Sequence, residues 1–295
     1  MAVGDTLRLG TRGSELARTQ SGHVATALQA ATGRPVELVI IKTRGDQVQD
    51  RPLSQVGGKG LFTKEIEDAL LAGDIHLAVH SFKDMPSGSP DGLVFGAVPE
   101  REDPADALVG STLAGLRQGA VVGTGSVRRR LQLLAARPDL EIKGIRGNVD
   151  TRIEKLRRGE YDAIVLAAAG ISRLGRASVI DERLTVEQMV PAPAQGALAV
   201  QCRRGDTATL AALATIHHGP TAQRVAVERA FLEAISGNCD APAACLAWFE
   251  GTGLAAEAYF APDPTDPSTG RRLRLRSDPL HAEALGRELA NRIRG

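Results

Sequence analysis

Short apolar runs alternate along this chain with longer stretches whose apolar residues return at helical spacing. Residues 6–9 read as a first strand. Ser14 then caps a helix with Leu16, Val24, Ala27 and Leu28 on one face, and Gly33 supplies its stop. Residues 36–41 read as a buried strand of the parallel type. A helix is predicted over 61–72, with Leu61, Phe62, Ile66 and Leu70 inward and Lys64, Glu65, Glu67 and Asp68 outward, closing on Gly73. Strands follow over 75–79 and 93–98. Strands alternating with helices predict a parallel sheet with helices on both faces.

Around Pro99-Glu100-Arg101-Glu102-Asp103-Pro104 the chain turns charged and proline-flanked, the mark of a crossing between domains. A second α/β set is predicted beyond it: strands over 121–122, 141–145 and 163–167, helices over 127–136 and 149–158. Pro191-Ala192-Pro193 is the next break. Residues 196–202 then alternate as a strand, which is expected to return to the first sheet and so join the two lobes by two crossings. The remainder reads as a small α+β unit: a helix over 221–235, strand-like 243–249 and 254–260, a proline-rich gap over 262–267 that leads into 271–276, and a last helix from about 279. The expected domains are 1–99 plus 197–217, 100–196, and 218–295.

Composition narrows the function classes. Lys and Arg total 36 against 35 Asp and Glu, a net charge of +1, so no global field draws in nucleic acid or an anionic membrane. Aromatics at 3% are too few for base-stacking platforms. The first residues lack an apolar leader, and no run approaches the ~18 apolar residues of a membrane span. Three cysteines without CxxC spacing argue against a disulfide framework or a cysteine zinc site. The expectation is a cytoplasmic protein with reduced thiols. No obviously sticky helix is seen, which favours a monomer.

The candidate chemistry sits at predicted strand ends, where open α/β sheets bind ligands. The strand pattern through Ala78-Val79-His80-Ser81 ends on Lys83-Asp84, and Met85-Pro86 then turns the chain away. That pair is either an anion-binding ammonium beside a carboxylate, or a solvated turn with two incidental charges. Arginines gather at similar places: Arg12 after the first strand, Arg128, Arg129 and Arg130 after Gly123-Thr124-Gly125-Ser126, Arg146 in Ile145-Arg146-Gly147-Asn148, Arg152 one turn on, and Arg173 after 166–170. A guanidinium pairs bidentately with carboxylate or phosphate. Taken singly, each is more simply a surface residue; their shared placement points to a small polyanion. Gly57-Gly58-Lys59-Gly60 fails as a P-loop because Gly60 stands where a hydroxyl must hold magnesium. Gly123-Thr124-Gly125 fails as a dinucleotide fingerprint, since Arg128 occupies the third glycine position. His76 and His80, four residues apart on a strand, span ~13 Å, too far to share a metal. Cys202 and Cys245 read as small core residues. Cys239, in the loop Gly237-Asn238-Cys239-Asp240-Ala241-Pro242 after a helix C-terminus, is not pre-activated by a helix dipole. On its own it is either an ordinary thiol or one awaiting a strong electrophile.

Together these segments resemble the hydroxymethylbilane synthase (porphobilinogen deaminase) family. The resemblance runs through Thr11-Arg12-Gly13-Ser14, Thr43-Arg44-Gly45-Asp46, Val56-Gly57-Gly58-Lys59-Gly60-Leu61-Phe62 and 78–86. It continues through Arg101-Glu102-Asp103-Pro104, Gly123-Thr124-Gly125-Ser126-Val127-Arg128-Arg129, Arg146-Gly147-Asn148-Val149-Asp150-Thr151-Arg152, Gln195-Gly196-Ala197 and Cys239. The cysteine loop departs from the family's usual Gly-Gly-Cys-x-Val-Pro.

The resemblance implies two α/β domains like type II periplasmic binding proteins, with a smaller C-terminal α+β domain. It implies a dipyrromethane cofactor on Cys239, four porphobilinogen units joined with loss of ammonia, and hydrolytic release of 1-hydroxymethylbilane. Asp84 would be the catalytic carboxylate. Cofactor binding falls to Lys83, Asp84, Ser126, Arg128, Arg129 and Arg146, and substrate binding to Arg12, Arg146, Arg152, Arg173 and Gln195. Lys59 and Phe62 would belong to an active-site loop, and no metal is implied. The rival is a non-catalytic two-lobed module for a small carboxylate or oxyanion, which needs the arginines but neither Asp84 nor Cys239.

Overall fold

The computed structural model describes residues 6–43, 63–86, 88–235 and 242–295. The chain divides into two compact units, Met1–Glu100 with Ala197–Ala222, and Arg101–Gly196 with Gln223–Gly295.

The first unit begins with strand β1 (Leu7–Thr11), helix α1 (Glu15–Thr32), strand β2 (Val36–Ile40), helix α2 (Lys64–Ala72), strand β3 (Leu77–Ser81) and strand β4 (Leu93–Ala97). The Ser14 Oγ accepts from the Ala17 N–H at the start of α1, and Gly33 ends the helix in the left-handed region, at φ 68°. The second unit contributes β5 (Asp106–Val109), β6 (Val121–Gly123), α3 (Val127–Ala136), β7 (Glu141–Lys143), α4 (Val149–Arg157), β8 (Ala163–Ala167), α5 (Ala168–Arg173) and β9 (Glu182–Arg183). The chain then returns with β10 (Leu198–Arg203) and α6 (Thr207–Ala214), and passes through α7 (Gly219–Ile235). It closes with β11 (Ala243–Glu250), β12 (Gly253–Phe260), β13 (Arg271–Ser277) and α8 (Ala282–Arg294).

The first sheet has the order β2-β1-β3-β10-β4 and the second β7-β6-β8-β5-β9. They share one plan. Three parallel strands are flanked by a strand running the other way, β10 beside β3 and β5 beside β8. β10 does return to the first sheet, as its alternation foretold, but antiparallel to both neighbours. The expectation of an all-parallel sheet is therefore corrected: strand direction is set by where the chain crosses between units, which side-chain patterning does not encode. The plan of two α/β sheets with an added α+β part stands. That last part is an antiparallel meander, β11-β12-β13, with Leu254, Ala256 and Ala258 packed on Val227, Phe231, Leu289 and Ile293 of α7 and α8.

Several elements escaped the pattern reading, among them β5, α5, β9 and α6. β5 begins on a charged residue, Asp106, which hides a short apolar run behind the charged crossing segment. α6 is too uniformly small and apolar to show a face; Asp206 caps it by accepting from the Thr209 N–H.

Candidate active site

In the first unit, the parallel strands β1 and β3 end on the same sheet edge, which places Arg12 and the Lys83-Asp84 turn together there. β3 runs on into a single 3-10 turn, Phe82–Asp84. The turn is nailed down on both sides of its charges. The Phe82 N–H donates to the Ala197 carbonyl, extending the pairing with β10, and the buried Phe82 ring meets Phe95 edge-on at 4.9 Å. Met85 is buried, and its N–H closes the turn on the Phe82 carbonyl. Between these anchors Asp84 is exposed and Lys83 half-buried. Such a turn projects a carboxylate outward from a rigid base.

Behind the turn lies a buried polar chain. His80 Nε2 and Gln201 Oε1 are 3.1 Å apart, while the Gln201 amide donates to Ser89 Oγ at 2.8 Å and Glu67 Oε1 at 3.3 Å. The amide nitrogen being so engaged, Oε1 faces His80 and the imidazole Nε2 carries the proton. Burial, aided by the nearby Arg12 charge and opposed by the Gln201 hydrogen bond, pushes the His80 pKa down to about 4.

In the second unit the parallel strands β6, β7 and β8 likewise finish on one edge. Ser126 follows β6 and caps α3, its Oγ accepting from the Arg129 N–H. Arg128 and Arg129, which follow at once, are almost wholly buried. They converge on Asp106, which is fully buried. Arg128 Nη1 donates to Asp106 Oδ2 at 2.7 Å and to the Val190 carbonyl at 2.8 Å. Arg129 Nε donates to Asp106 Oδ1 at 2.9 Å, with Nη2 at 2.7 Å, and its Nη1 reaches the Val165 carbonyl at 2.9 Å. Desolvation alone would raise the Asp106 pKa; the two guanidinia and their hydrogen bonds outweigh it and hold the carboxyl far below its ordinary range.

After β7, Asn148 caps α4 and Arg146 is exposed. Arg152 Nε donates to the Gly147 carbonyl at 2.7 Å. Burial lowers the Arg152 pKa and the Arg129 charge lowers it further, so the two cations sense each other. Arg173 ends α5 beyond β8 and donates to the Gly196 carbonyl at 2.7 Å; burial depresses its pKa and Glu102 partly restores it. Gln195 is fully buried, its amide donating to the Pro104 carbonyl at 2.8 Å and to Asp106 Oδ1 at 3.0 Å. Gln195 thus shares Asp106 with the arginines. Cys239, Lys59 and Phe62 lie outside the described residues.

The sequence reading missed Asp106 and Gln201. The signal for Asp106 was present: an acid opening an apolar run, Asp106-Ala107-Leu108-Val109, needs a buried cation, and adjacent arginines were in hand. Among the described residues no cluster of three or more His, Cys, Asp or Glu side chains forms a metal site. Cys202 and Cys245 are free and buried.

The arrangement is therefore one of two guanidinia after β6 paired to a single internal acid, with Arg152 in electrostatic reach of Arg129, and separately an exposed carboxylate on a braced turn. The family model described as "Porphobilinogen deaminase, dipyromethane cofactor binding domain" matches residues 7–211. The chain belongs to the porphobilinogen deaminase family. A porphobilinogen deaminase of Trichlorobacter lovleyi is 48% identical over 290 residues, which cover 97% of this chain and 92% of the relative. One from Xanthomonas oryzae pv. oryzae is 53% identical over 285 residues, covering 95% and 90%. A solved periplasmic binding protein of Salmonella typhimurium is 15% identical, covers 72% of this chain and 92% of its own, and superposes with a TM-score of 0.40.

The activity is that of a transferase of tetrapyrrole synthesis: four porphobilinogen molecules are joined with loss of ammonia on a dipyrromethane primer, and 1-hydroxymethylbilane is released by water. The non-catalytic alternative is not favoured. The arginine cluster fits the cofactor, because a dipyrromethane bearing acetate and propionate groups needs cations in a low-dielectric setting, and Arg128, Arg129 and Arg152 supply three against the one carboxylate of Asp106.

Proposed function

We propose that Asp84 is the carboxylate that serves the deaminative step, and that Cys239 carries the cofactor through a thioether. When bound, the dipyrromethane supplies the pyrrole primer that is extended. Arg128, Arg129, Arg146 and Ser126, with Lys83 and Asp84, hold it. Arg12, Arg146, Arg152 and Arg173 receive the acetate and propionate groups of porphobilinogen. Gln195 acts on them through Asp106, to which it donates.

The observation that carries this reading is the preassembled arginine cluster around Asp106, which has more positive than negative charge among the described residues. Asp84 supports it from the other side of the chemistry. As the amine departs, positive charge develops on the substrate pyrrole, and a fixed carboxylate stabilises that charge while accepting and returning the pyrrole N–H proton. Lys83 beside it pairs with a substrate carboxylate rather than with Asp84's role as base. The chain works as a monomer in the cytoplasm, where Cys202 and Cys245 stay reduced. No helix among the described residues is long and apolar enough to cross a membrane.

Intact mass tests the reading. Freshly purified chain is expected to exceed its sequence mass by two linked pyrrole units, and Cys239→Ser to match its sequence mass. An unmodified wild-type chain that still makes product would overturn the assignment of the tether.

A further inference from the structure

Burying two adjacent arginines is costly. The charge of each guanidinium must be compensated within a medium that screens little, or the fold will not hold it. Arg128 and Arg129 meet this demand with one acid. Asp106 offers two oxygens and no solvent contact; Arg128 takes Oδ2 at 2.7 Å, and Arg129 takes Oδ1 at 2.9 and 2.7 Å through two nitrogens. Gln195 adds a third donor to Oδ1 at 3.0 Å. Backbone carbonyls of Val190 and Val165 take further guanidinium protons, which satisfies hydrogen bonding but leaves charge unmatched. Arg152 has no carboxylate partner among the described residues and lies within electrostatic reach of Arg129. Three cations and one anion leave the cluster positive.

We propose that Asp106 is a resident counter-ion: it neutralises part of the Arg128–Arg129 pair before any ligand is present, so that the chain folds with its anion site already assembled. The inference rests on the reading that Arg128, Arg129 and Arg152 receive ligand carboxylates, and it adds how the empty chain tolerates them. Asp106 is a positioning residue: it has no solvent contact and acts through Arg128 and Arg129. The remaining positive charge is what an incoming carboxylate answers. Without Asp106, the ligand would have to supply all the compensation, and stability would become dependent on an anion.

The experiment uses the full-length chain carrying Cys239→Ser, so that no tethered cofactor confuses the comparison, with and without Asp106→Asn. Melting is followed in sodium chloride and in sodium sulfate at equal ionic strength. Removing one partner of a buried ion pair is expected to lower Tm by about 10 °C in chloride. Sulfate, as the probe anion, is expected to return at least half of that loss while raising the Asp106 parent by no more than a few degrees. A deficit equal in both salts means that Asp106 merely packs, and overturns the proposal. Should Asp106→Asn fail to fold, Asp106→Asn with Arg128→Met decides. The proposal requires the double variant to fold where the single one does not, because one of the uncompensated buried cations is gone. A double variant no better than the single one overturns it. Intact mass of the Cys239 parent is read in parallel: an unmodified mass there defeats the cofactor reading, while the sulfate result judges the counter-ion independently.

Discussion

At the scale of single residues, Asp84 is unusual in being exposed between two buried anchors, Phe82 and Met85. Its carboxylate contributes nothing to the core, so truncating it opens no cavity. Asp84→Ala should therefore change stability by no more than about 0.5 kcal/mol. The chemistry should respond very differently, because a preorganised carboxylate facing developing charge is worth a factor on the order of a hundred or more. Turnover of porphobilinogen is expected to fall at least 100-fold while the melting curve overlays that of wild type. Turnover within a few-fold of wild type would remove Asp84 from its proposed role. Arg128 and Arg129 present the opposite case. They are buried and internally paired, so replacing either disturbs folding as well as binding, and a lost activity there would say little alone.

At the scale of elements, β3, β10 and α2 are tied behind the Asp84 turn by His80, Gln201 and Glu67. This tie has a pH signature. His80 is neutral when folded, with its pKa at about 4 against 6.5 in the unfolded chain, chiefly because burial disfavours the imidazolium. Between these values the unfolded chain takes up a proton that the folded one refuses, so stability falls as pH drops from 6.5 towards 4 and is complete above 6.5. The component is about 3 kcal/mol. His80→Gln keeps a donor towards Gln201 and should flatten that part of the urea midpoint against pH; an unchanged slope would refute the assignment. His80 also shows where the sequence was legible. The apolar run over 75–79 identified the strand that the structure carries on to Ser81, and the strand-end rule then nominated Lys83, Asp84 and the arginines as candidates. Charged or featureless openings concealed β5 and α6, and direction concealed the antiparallel places of β5 and β10. Asp106 signalled that it needed a cation, but which arginines answer it was illegible, because it is brought in by sheet pairing of β5 with β8 rather than by spacing along α3.

At the scale of the whole chain, a buried ion pair ties the added α+β part to the segments flanking the second sheet, beside the apolar contact of Leu131 and Val190 with Ala244, Tyr259 and Ala261. Arg101 and Glu228 have side chains exposed by only 1% and 0%. Glu228, on α7, accepts from Arg101 Nη1 at 2.6 Å and Nη2 at 3.0 Å, from the Ala194 N–H at 2.6 Å, and from the Ala247 N–H of β11 at 3.0 Å. Arg101 Nε donates to the Gln195 carbonyl at 2.7 Å. Two segments that lead into and out of the second sheet are thus fastened to one carboxylate. The fastening holds a strained backbone. Ala194 has φ 60°, a left-handed conformation costing an L residue about 1–2 kcal/mol, and its N–H is one of those anchored. Gly196, two residues on, has φ 84°, and a Cβ there would lie 2.4 Å from the Glu102 carbonyl oxygen. Breaking the pair by Glu228→Leu or Arg101→Met removes one partner of a buried ion pair and should cost about 3–5 kcal/mol. Replacing both, Arg101→Met with Glu228→Leu, removes the stranded charge and should recover part of that loss. Recovery will be incomplete, since the Ala194 and Ala247 N–H groups lose their acceptor at about 1–3 kcal/mol each. Urea unfolding of the four chains reads the coupling directly. A double variant as stable as wild type would show that the backbone bonds carry no weight. One that merely sums the two single losses would show that Arg101 and Glu228 are not energetically joined.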